Sequence, residues 1–257
     1  MCGLKIRLNC PDFKEFILTH DCIILNETKC DNVEMDIIND DFSKLGYFLM
    51  YKNRKKISRN CSGGILVLVR AKYRKLCKEI STNNNSCLWF RINKSVFGYD
   101  KDILCAAVYL PPENSKYSDI GIFDDFVTDL ITLNPNNDYY VLMIGDFNSR
   151  VYPNNDFVTF DYELFEHANL DDAMVDSLLE EDTLQGLGIP CERVSLDKKA
   201  NNYGKKLIEL CKSSSLYILM AVPVKTNTLE AILLLKIALL TVCLAQPIFY
   251  LSAYLSR

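Results

Sequence analysis

Four polar side chains stand at the ends of apolar runs in this chain. Glu27 follows Cys22-Ile23-Ile24-Leu25, Tyr109 lies in Ala106-Ala107-Val108-Tyr109-Leu110-Pro111-Pro112, and Asp146 and Asn148 follow Tyr140-Val141-Leu142-Met143-Ile144. Short apolar runs read as buried strands, and a strand end is where a rigid sheet can present polar chemistry. Asp146 and Asn148 are two residues apart, so strand alternation points both to the same side. A carboxylate there could orient or deprotonate a water, and a carboxamide could hold a phosphate oxygen or align that carboxylate, which suits attack on a phosphodiester. Gly, Asp and Asn also form turns, so Gly145-Asp146-Phe147-Asn148 taken alone equally describes a strand closing in an Asx turn. Taken singly, Glu27 reads as a surface carboxylate and Tyr109 as a core aromatic.

These residues need elements to hold them. Strands are expected at Gly46 to Tyr51, Gly64 to Arg70, Ser86 to Ile92, Ile103 to Leu110 and Tyr139 to Ile144, besides the short strand before Glu27. Apolar residues at helical spacing predict helices over Pro11 to His20, Ile120 to Leu133 and Tyr203 to Lys212. Short strands dominate, which favours a strand-rich core of two sheets with helices outside over a doubly wound parallel sheet. Residues Asp156 to Asp182 are acidic and weakly periodic, and read as a long loop with one or two short helices.

A length of 257 residues suits one large domain or a domain with an appendage, and a formal charge of −4 means that any nucleic-acid contact must come from a local patch. Tyr51 to Lys78 carries ten Lys or Arg and no acid, and is the candidate patch for a DNA backbone; a solvated hairpin is the plainer reading of the same charges. Trp89 and Phe90 read as core. The 11 cysteines include no Cys-x-x-Cys, and Cys22, Cys87 and Cys105 fall in apolar runs, so they are expected to be small buried hydrophobes in a reducing compartment. No signal peptide is visible at the N-terminus, which makes a nuclear or cytoplasmic location the expectation. Residues 237–256 carry no charge. They are a candidate membrane span, a buried terminal segment or out-of-frame sequence.

Taken together, the motifs resemble the endonuclease/exonuclease/phosphatase superfamily with its DNase I-like fold, and within it the apurinic-type endonuclease domain of non-LTR retrotransposons. The resemblance runs through Gly3-Leu4, Leu25-Asn26-Glu27-Thr28-Lys29, Ser62-Gly63-Gly64-Ile65, Val108-Tyr109-Leu110-Pro111-Pro112, Gly145-Asp146-Phe147-Asn148-Ser149-Arg150, Arg193-Val194-Ser195-Leu196-Asp197 and Asn202-Tyr203-Gly204. It implies an α+β fold, a four-layer α/β-β/α sandwich, over residues 1–219, followed by an atypical hydrophobic tail over 220–257. It also implies that Glu27 binds Mg²⁺ or Mn²⁺, that Tyr109 contacts the scissile phosphate, that Asp146 aligns or activates the attacking water, and that Asn148 supports both.

The same resemblance implies an Asn ahead of Gly3 and a closing Ser-Asp-His. Here the chain begins Met1-Cys2-Gly3, has no Asp after Asp197, and has only His20 and His167. The expectation is an incomplete sandwich with C-terminal strands missing and with the acid and imidazole half of the site lost. Two readings follow: Mg²⁺-dependent hydrolysis of DNA by a retrotransposon-type endonuclease domain, inactive if that loss is decisive, or a non-catalytic remnant tethered to membrane through 237–256. No protein partner is implied.

Overall fold

The computed structural model describes residues 4–53, 62–152, 154–158, 180, 184, 186, 191–193 and 197–218. They fall into two compact units that part between Asn148 and Ser149.

The first unit is built on two sheets. Three strands, β1 (Cys22–Asn26), β2 (Tyr47–Lys52) and β3 (Ile65–Arg70), pair antiparallel in the order β1-β3-β2. Four more, β4 (Cys77–Ile80), β5 (Cys87–Ile92), β6 (Asp102–Tyr109) and β7 (Tyr139–Asp146), pair in the order β4-β5-β6-β7. The β6–β7 pair is parallel. Parallel neighbours require a crossover, and helix α4 (Ile122–Leu133) supplies it.

Alternation sorts the strand residues into two layers. Even positions of β1, β2 and β5 and odd positions of β3 and β6 form one apolar cluster, with Ile24, Phe48, Val67, Phe90 and Cys105 among its members. This is the layer shared by the two sheets. The opposite face of the three-stranded sheet, through Ile23, Leu25, Leu66 and Leu68, packs with Ile17 of α2 (Pro11–Leu18) and with Met35, Ile38 and Phe42 of α3 (Asn32–Lys44); a short helix, α1 (Leu4–Arg7), adds Leu4. On the other side, Trp89 is 1% exposed, and its indole N–H donates to Asp129 Oδ2 of α4 at 2.8 Å. The layers are therefore helix, sheet, sheet, helix, an α+β sandwich as expected. Among the described residues β7 is an edge strand.

Besides the short α1, three elements differ from expectation. Helix α3 carries no clear helical signal in the sequence, because its apolar residues make only a thin stripe among acids and amides. It starts on a capping box, in which Glu34 N–H donates to Asp31 Oδ1 at 2.9 Å and Asp31 N–H to Glu34 Oε2 at 3.2 Å. The edge strand β4 is only four residues long with two exposed side chains, too short to show alternation. Strand β7 continues through Gly145 to Asp146, beyond the apolar run, because Asp146 still pairs with Tyr109. Cys22, Cys87 and Cys105 are buried free thiols, as the apolar runs around them suggest.

In the second unit, helix α5 (Asn202–Ser214) is capped by Asn201, whose Oδ1 accepts from Gly204 N–H and Arg150 N–H, both at 2.8 Å. A side chain at Gly204 would run into the Arg150 carbonyl, which gives the Asn-Tyr-Gly stretch a packing reason. Asp156 and Arg193 form an ion pair at 2.5 Å, both side chains 1% exposed. Most of the acidic stretch 156–182, His167, residues 54–61 and the tail from 219 lie outside the described residues. Among the described residues no helix is long and apolar enough to cross a membrane.

Candidate active site

The layer between the sheets is apolar along most of its length and turns polar at one end. On β1 the inward positions run Cys22, Ile24, Asn26; on β6, Cys105, Ala107, Tyr109; on β7, Leu142, Ile144, Asp146. Lys52 ends the same series on β2 after Phe48 and Met50. Each of these strands has its last inward position filled by a group able to hydrogen-bond or carry charge. Three of the four residues singled out from sequence, Tyr109, Asp146 and Glu27, stand at this end, with Asn148 two residues further along the chain.

Glu27 comes one position after Asn26, so alternation alone would turn it away from the layer. Its φ of +57° reverses the chain, and Tyr109 Oη then donates to Glu27 Oε1. Left-handed backbone is uncommon outside glycine and persists where surroundings over-determine it. Here Thr28 N–H donates to Gly64 O at 3.4 Å and Lys29 N–H to Gly63 O at 2.9 Å, and a Cβ on Gly64 would collide with Thr28 Oγ1. The Ser-Gly-Gly-Ile stretch is thus the cradle of the Glu27 turn. Tyr109 is 3% exposed and belongs to the apolar cluster, so it is a core aromatic and a site residue at once.

Asp146 is set by Gly145, whose backbone lies directly against Val108 of β6 with a φ of +148°. Its Oδ1 accepts from Asn148 N–H at 2.9 Å, which is an Asx turn. The turn and strand-end readings of this tetrapeptide therefore coincide. Asn148 Nδ2 donates to Leu110 O at 2.7 Å, and Leu110 N–H donates to Asp146 O at 2.8 Å. Asn148 ties the ends of β6 and β7 together and so fixes the direction of Asp146.

Two further residues, Asn26 and Lys29, join this end of the layer. Asn26 is 2% exposed and donates Nδ2 to Val108 O at 3.0 Å, joining the two sheets. A carbonyl can only accept, so the amide oxygen must point the other way, and among the described residues that oxygen has no hydrogen-bond partner. Lys29, also left-handed at φ +55°, places Nζ 3.4 Å from Glu27 Oε2, with the two side chains 20% and 16% exposed. Neither contact has a sequence signature, because the first crosses from one sheet to the other and the second depends on the turn at Glu27.

Four of the described cations of the basic segment are otherwise engaged, while Lys75 and Lys78 are exposed. Arg70 and Lys72 pair with Asp21, and Arg74 lies over the Phe48 ring. Arg70 closes β3 at the end opposite Gly64, six residue steps or about 20 Å away. Lys52 donates to Thr82 O at 2.9 Å and Asn84 O at 2.6 Å, and burial pushes its ammonium below the ordinary range. His20 bonds Phe16 O through Nδ1 at 2.9 Å and precedes Asp21, so it too sits at the far end of β1.

For a divalent cation the donors offered are oxygens: Glu27 Oε2, which is paired with Lys29, and Asn26 Oδ1, neither of which has a hydrogen-bond partner among the described residues. Among the described residues there is no cluster of three His, Cys, Asp or Glu side chains. This donor set fits a hard ion such as Mg²⁺, which accepts one or two protein oxygens and fills the rest of its shell from water and phosphate.

No protein-family model matches the chain. No curated protein matches it either. Among solved structures it is similar to that of ANGEL2, a 2′,3′-cyclic phosphatase, at 18% identity and a TM-score of 0.37, over 55% of this chain and 43% of that one. The chain thus spans less than half the length of that protein.

Proposed function

We propose that the chain is a DNase I-like domain of the non-LTR retrotransposon endonuclease type, hydrolysing DNA phosphodiesters with Mg²⁺ or Mn²⁺. The observation that carries this reading is the polar end of the inter-sheet layer, where Asn26, Tyr109 and Asp146 end their strands and Glu27 is turned back onto Tyr109. Glu27 Oε2 and Asn26 Oδ1 would hold the ion. When bound, it supplies charge stabilisation to the phosphoryl oxygens as the P–O bond breaks.

The rest of the work falls to side chains of the protein. Tyr109 fixes the Glu27 carboxylate through its one hydroxyl proton in the free protein, and that proton would turn to a phosphate oxygen once substrate is bound. Asp146 accepts the proton of a water approaching the phosphorus. Asn148 is a positioning residue, because its amide is committed to Leu110 O. Segment 51–78 is proposed to meet the DNA backbone through cations other than Arg70, Lys72 and Arg74, which are spent on Asp21 and Phe48.

One observation favours the second reading, a non-catalytic remnant: the described histidine, His20, lies at the wrong end of β1. A missing general acid–base partner costs about 10²- to 10⁴-fold in rate. Nicking of supercoiled DNA in Mg²⁺, compared with Asp146→Asn, separates the readings. The endonuclease reading expects nicking by the native protein that falls at least about 10²-fold in the variant; equal background from both leaves the remnant.

A further inference from the structure

We infer that Lys29 governs when the site accepts a divalent cation, by occupying the Glu27 oxygen that the ion needs and releasing it to an incoming phosphodiester. This rests on the metal-site reading above. Glu27 has two carboxylate oxygens, and both are engaged: Tyr109 Oη donates to Oε1, and Lys29 Nζ stands 3.4 Å from Oε2. The carboxylate is therefore already neutralised by a fixed positive charge. Both side chains are at least four-fifths buried, so solvent screens the pair less than it would on an open surface.

The pair is held by backbone, not by chance encounter of two long side chains. Glu27 and Lys29 both have left-handed φ, and the intervening turn is bonded to Gly63 and Gly64, so the two Cα positions cannot drift apart. A dication binding Glu27 must push the ammonium off Oε2, and an anion arriving beside it offsets the two positive charges brought together. A phosphodiester oxygen is the anion present when substrate is bound, and lysine binds phosphate as a flexible point charge. Metal and phosphodiester should therefore bind with positive coupling in the native chain: weak metal binding alone, tighter binding with the anion. By reciprocity, the anion is bound more tightly once metal is in place.

Titration of the protein with Mn²⁺, read from the electron paramagnetic resonance of the free ion, tests this with no reference to turnover. Native protein is expected to bind Mn²⁺ weakly and to tighten on adding dimethyl phosphate. Lys29→Met is expected to bind Mn²⁺ at least about tenfold more tightly alone, since removing one adjacent like charge is worth one or more factors of ten, and to lose the response to dimethyl phosphate. Lys29→Gln should behave as Lys29→Met does, and Lys29→Arg should stay native-like; either neutral variant serves if the other misfolds. Glu27→Gln in the Lys29→Met background should abolish the tight binding and so locate it. Equal affinities in native and neutral variants would overturn the role of Lys29 while leaving the metal site standing. Absence of Mn²⁺ binding in every variant would overturn both.

Discussion

Gly145→Ala is a perturbation whose cost the structure fixes closely. A Cβ at Gly145 would overlap the Val108 carbonyl oxygen outright and stand 2.7 Å from Val108 C and 2.9 Å from Val108 N. All three atoms are backbone of β6, at the position where Val108 pairs with Gly145, so no side chain can swing aside. The φ of +148° adds strain for any residue with a Cβ. Backbone strain of this kind costs about 1–3 kcal/mol, and forced overpacking about as much again, which gives roughly 4 kcal/mol. Gly46→Ala is the internal control: φ is +79°, but nothing lies within 4 Å of the new Cβ, so only the strain of about 1 kcal/mol remains. The single tryptophan, Trp89, is buried in β5 and reports unfolding of this unit by fluorescence. With a urea slope of about 2 kcal/mol/M, the midpoint should drop by about 2 M for Gly145→Ala and by about 0.5 M for Gly46→Ala. Equal midpoints for the two variants would refute the close packing of β6 on β7, and with it the placement of Asp146.

Two further outcomes follow from buried polar groups. Arg193→Met leaves the Asp156 carboxylate buried without its cation, and should cost the second unit roughly 3–5 kcal/mol, measured as faster hydrogen exchange over residues 202–214. Burial pushes the Tyr47 phenol above its ordinary value, with Arg70 pulling the other way, and the hydroxyl donates to Ile17 O at 2.9 Å and His20 O at 2.6 Å. A raised folded value means that the folded state holds its proton more tightly, so this contribution is intact below the ordinary phenol value of about 10 and is lost as pH rises through the raised one. Thermal denaturation from pH 8 to pH 11 should therefore show a steeper alkaline fall for native protein than for Tyr47→Phe, although the variant starts lower.

Much of the fold was legible because it rests on alternation and apolar runs. The boundaries of β2, β3 and β5 lie within one residue of those expected, and α4 and α5 within two. The inward positions of Tyr109 and Asp146 also follow from parity, once the strands are known. What sequence could not supply depends on chain reversals. Glu27 reads as outward-facing until its left-handed turn is seen, Lys29 gains meaning only from where that turn puts it, and the Asn26 oxygen only from the bond its amide makes across to the other sheet. Asn148 was legible as a neighbour of Asp146 but not as a clamp on Leu110, because that contact crosses from β7 to the end of β6. The basic segment shows the limit of counting charge: Arg70 and Lys72 answer a nearby acid, Asp21, which a one-dimensional tally places outside the run.

The central claim is that the polar end of the inter-sheet layer is a divalent-metal phosphodiesterase site. Anomalous diffraction from crystals soaked in saturating MnCl₂ and dimethyl phosphate tests it most directly. The account predicts a manganese peak about 2.1 Å from Glu27 Oε2, with the Lys29 ammonium moved from that oxygen onto the phosphodiester and Asp146 facing the phosphorus. Manganese bound elsewhere with the Glu27–Lys29 pair intact, or no manganese at all, would contradict it.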